Sequence, residues 1–81
     1  MSEIRRTANT LLKRQFDELV TMELLILQIP AQTEADEEKY AMFSRGLERE
    51  IVETSMNFGV DPISLTAMVD AEAKRRNEIN S

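Results

Sequence analysis

Thr21–Pro30 reads TMELLILQIP, the most apolar run in the chain, and it stops at a proline. At 3.6 residues per turn, Leu12, Phe16, Leu19, Val20, Ile26 and Leu27 form one stripe, while Met22, Leu25 and Ile29 lie on the neighbouring side. An ordinary surface helix keeps a polar face opposite its apolar stripe. Here only Glu23 and Gln28 interrupt Met22–Ile29. The run is too short to span a membrane, which takes roughly 20 apolar residues. It therefore reads either as a core helix covered by the rest of the chain, or as one that a second copy or a partner helps to cover. Small domains bury proportionally little of their surface, which favours outside help. The expectation is an all-α, small three-helix bundle that dimerises through this first helix, at Met22, Leu25, Ile26 and Ile29. Closed twofold pairs are the commonest oligomers.

Outward from the run, the punctuation is clear. Pro30 ends the first helix because the residue before a proline is pushed out of helical geometry. Upstream, Ser2 suits an N-cap for a helix over 3–29, and Thr7–Thr10 (TANT) is a stretch of weak helix propensity within it. Ala31–Thr33 is a short connection fit for an antiparallel turn-back. Thr33-Glu34-Ala35-Asp36 approximates a capping box, with aspartate where glutamate or glutamine is usual, and opens a second helix over 34–58. Tyr40, Phe43, Leu47, Ile51 and Phe58 give it an apolar stripe, with Met42, Val52 and Met56 alongside. Gly46 sits mid-helix, where glycine costs about 1 kcal/mol against alanine, and reads equally as a close helix crossing or as a glycine tolerated without purpose. In Asn57–Pro62, Gly59 suits a left-handed helix end, Asp61 an N-cap and Pro62 a first turn. A third helix follows over 62–77, with Ile63, Leu65, Met68, Val69 and Ala71 available for packing. Lys74, Arg75 and Arg76 close it, the sign a helix C-terminus prefers. Residues 1–81 thus read as one helical domain.

Composition narrows function by what is missing. The chain has no histidine and no cysteine, so the usual general bases, nucleophiles and thiolate ligands are absent. Its two glycines, Gly46 and Gly59, cannot form a phosphate-cradling loop. Glu50 and Glu53 share a helix face, but paired carboxylates need burial to part their pKa values before they do acid–base work. No catalytic, cofactor or metal site is expected, and the protein reads as a non-enzyme. MSEIRR lacks the apolar core of a signal peptide, so the expected location is cytoplasmic. Five methionines favour an adaptable core or binding surface.

Net charge is −5, unevenly spread: residues 1–16 carry a balance of +3, residues 17–61 one of −8, and residues 62–81 are neutral. Nucleic-acid binders show a basic face, whereas this pattern speaks for a protein partner. Glu34, Asp36, Glu37, Glu38 and Glu48 are candidates for contact with a basic partner. At the start of a helix such carboxylates also simply complement the dipole. Glu23, alone within the apolar run, is expected to be half-exposed or paired with Arg45 or Arg49.

Two resemblances bear on the alternatives. Ser55, Phe58, Gly59, Val60, Leu65 and Met68 are similar in spacing to a helix-turn-helix, which implies a DNA-binding regulator using residues 48–76. Against it, Ile63, Thr66, Ala67 and Asp70 would face the groove, with no lysine or arginine before Lys74. Ala41, Phe43, Glu53, Met56, Asn57, Pro62 and Ser64 faintly resemble the pattern of the Hha/YmoA family, small helical partners of nucleoid proteins. That family's tryptophan near the C-terminus is missing, and membership does not follow. The favoured expectation is an interaction module that regulates or inhibits a protein partner, of a kind carried by a phage or plasmid. A structural subunit of a larger assembly is a third possibility.

Overall fold

The computed structural model describes the backbone of residues 2–80 and the side chains of residues 9–79. It holds three helices, α1 (Ser2–Leu27), α2 (Glu34–Phe58) and α3 (Pro62–Asn80), with no strand among the described residues. Helix α1 is the hub: both others pack on it and touch each other far less. Leu19, Val20 and Ile26 of α1 meet Leu47 and Ile51 of α2 and Leu65, Val69 and Ala73 of α3. Phe16, Met22, Leu24 and Val60 pack partly buried around them.

The helix ends follow local chemistry. Asp36 donates its backbone N–H to the Thr33 hydroxyl, and the Asp36 carboxylate accepts from the Gln32 N–H. The short aspartate thus closes the cap one residue further out than a glutamate normally would. Gly59 ends α2 at φ 67°, and the Val60 N–H reaches back to the Ser55 carbonyl at 3.0 Å. That is a Schellman closure, with glycine at the position where a Cβ is penalised. Asp61 then caps α3, accepting from both the backbone N–H and the hydroxyl of Ser64.

Two helix ends need correcting, and one of the two readings of Gly46 falls away. Helix α1 stops at Leu27 rather than residue 29, because its last turn tightens: Gln28 and Ile29 donate three residues back, to Leu25 and Ile26. Helix α3 continues to Asn80, past residue 77. Gly46 marks no close helix crossing within the chain, since a Cβ there would meet nothing within 4 Å. The TANT stretch is carried through as helix, and the side chain of Ser2, the expected cap, lies outside the described residues. The chain turns back at Ala31, a non-glycine residue at φ 52°, a backbone state costing roughly 1–2 kcal/mol.

The body is elongated, 52 × 27 × 17 Å. Its accessible surface is 6370 Å², where a well-rounded monomer of this mass would show about 5,000 Å².

Candidate interaction surface

Met22, Leu25 and Ile26 of α1 and Met42, Phe43 and Gly46 of α2 line an apolar groove of about 240 Å³. Of the residues expected at a self-association seam, Leu25 is 58% exposed, Met22 and Ile29 are half-buried, and Ile26 lies beneath them in the core. Sequence reading placed Met42 and Phe43 on or beside the inner stripe of α2, yet Met42 is 65% exposed and Phe43 is exposed beside it. The cause is geometric. Past Leu27 the first turns of α2 have no helix opposite them, and Met42 and Phe43 stand at the edge of that overhang, beside the last turns of α1. Gly46 leaves the groove open at one side, having no side chain to fill it.

The acidic candidates do not form one patch. Asp36 is committed to the cap of α2. Glu34, Glu37 and Glu38 are exposed along its first turns. Glu48 stands about 15 Å further along the helix than Glu38. It borders a separate shallow groove with Ile51, Val52, Pro62, Ile63 and Thr66. A third groove runs between Leu12 and Phe16 of α1 and Val60, Leu65 and Met68, near Lys13.

Two of the three cations of α3, Arg75 and Arg76, are engaged with acids. Arg76 reaches Asp17 of α1 at 3.0 Å and also Glu72, while Arg75 hydrogen-bonds Glu72. These bonds from Arg75 and Arg76 pull the Glu72 carboxyl down to about 2. Glu23 faces α3 rather than the arginines of α2, its charged neighbours being Asp70 and Lys74. Partial burial first, and Asp70 second, push its carboxyl above the ordinary value, with Lys74 opposing.

A raised carboxyl means that the folded state holds this proton more tightly than the unfolded state does. Ionised Glu23 therefore weakens the fold at neutral pH, and the penalty fades as pH falls through the raised pKa. Glu23→Gln is expected to raise the melting temperature at pH 7, with the gain shrinking toward pH 4. A loss at pH 7 would mean that the carboxylate has a stabilising partner.

Among the described residues, no group of three or more potential metal-ligating side chains occurs, and no helix is long and apolar enough to cross a membrane. Comparison with protein families, curated proteins and solved structures found no match.

Proposed function

We propose that this chain is a non-enzymatic interaction module that pairs with itself through the second half of α1 and regulates or inhibits a protein partner. The observation that carries the reading is the open apolar groove at Met22, Leu25, Met42 and Phe43. Leaving such side chains in water forfeits about 1.5–3 kcal/mol for each that could be fully buried. Contiguous exposed apolar surface on a small protein marks an interface. Exposed Glu34, Glu37 and Glu38 lie along the first turns of α2, where they suit a basic partner.

The DNA-reading alternative is less well supported. The outward residues at the start of α3, Ile63, Thr66 and Ala67, are exposed but uncharged. Arg75 and Arg76 are held by acids.

Sedimentation of the purified chain from low to high micromolar concentration tests the self-pairing, with a mass of twice 9.3 kDa expected at the upper end. A monomer throughout would overturn it. In gel shifts at physiological salt no tight, sequence-selective duplex complex should form, and one that did would reverse the ranking of the two readings.

A further inference from the structure

We draw no further inference here: the strongest candidate, the apolar groove that Met22, Leu25 and Ile26 of α1 form with Met42, Phe43 and Gly46 of α2, belongs to the surface already described, and nothing in the structure shows what covers it.

Discussion

Leu19→Ala is expected to leave the chain barely folded at room temperature. Leu19 has no accessible surface and sits where α1 contributes to the single core. Removing a fully buried leucine costs about 2.7–5 kcal/mol, part lost transfer energy and part cavity. A domain of this length has about 4–12 kcal/mol to lose. In urea titration followed by far-UV circular dichroism, the midpoint should fall by a third or more. Leu11→Ala, on the same helix at 48% exposure, is the control and should cost about 1 kcal/mol or less. Equal shifts for the two would mean that α1 is not the hub of the core.

Leu25→Glu should do the opposite kind of damage, dissolving the pair while sparing the fold. The side chain is more exposed than buried in the protomer, so a carboxylate there finds water. In a twofold pair it would face its own copy near the axis, placing two like charges in an apolar seam. A central interface position of this kind is worth about 2–4 kcal/mol, or roughly a hundredfold in dissociation constant. Sedimentation should show monomers at concentrations where the parent is dimeric, with the helical signal largely kept. Loss of that signal would place Leu25 in the core. A dimer that survives would place the seam elsewhere.

The capped helix boundaries, both ends of α2 and the start of α3, were legible in the sequence because caps are local chemistry. Thr33 with Asp36, Gly59, and Asp61 with Pro62 each act within four residues, and α2 begins and ends where they put it. The sides of the helices were harder to read, since burial depends on what stands opposite. Leu27 belongs to the inner stripe by periodicity, yet it is 43% exposed because α1 ends there and α2 runs on past it. Ile63 looked available for packing and is 81% exposed, on the outer side of α3. Ala73 drew no notice as a core residue, although it is fully buried. The partners of charges were illegible for the same reason. Arg76 looked like a complement to its own helix dipole, but it also ties α3 to Asp17, 59 residues away. The candidate seam was legible in part: Leu25 stands out by its position off the stripe, whereas the contribution of Met42, Phe43 and Gly46 needed the overhang of α2 to be seen.

The hub position of α1 has a consequence for how the chain is made. Synthesis proceeds from the N-terminus, so TMELLILQIP emerges first while its third wall comes last. Val69 and Ala73, two of the side chains that close the core, lie in the final helix. Helices α1 and α2 alone leave the core open on the side that Leu65, Val69 and Ala73 of α3 close. The nascent chain therefore carries its most apolar segment without full cover until α3 has been translated. For that interval the segment is open to chaperones, and to other chains emerging from the same message.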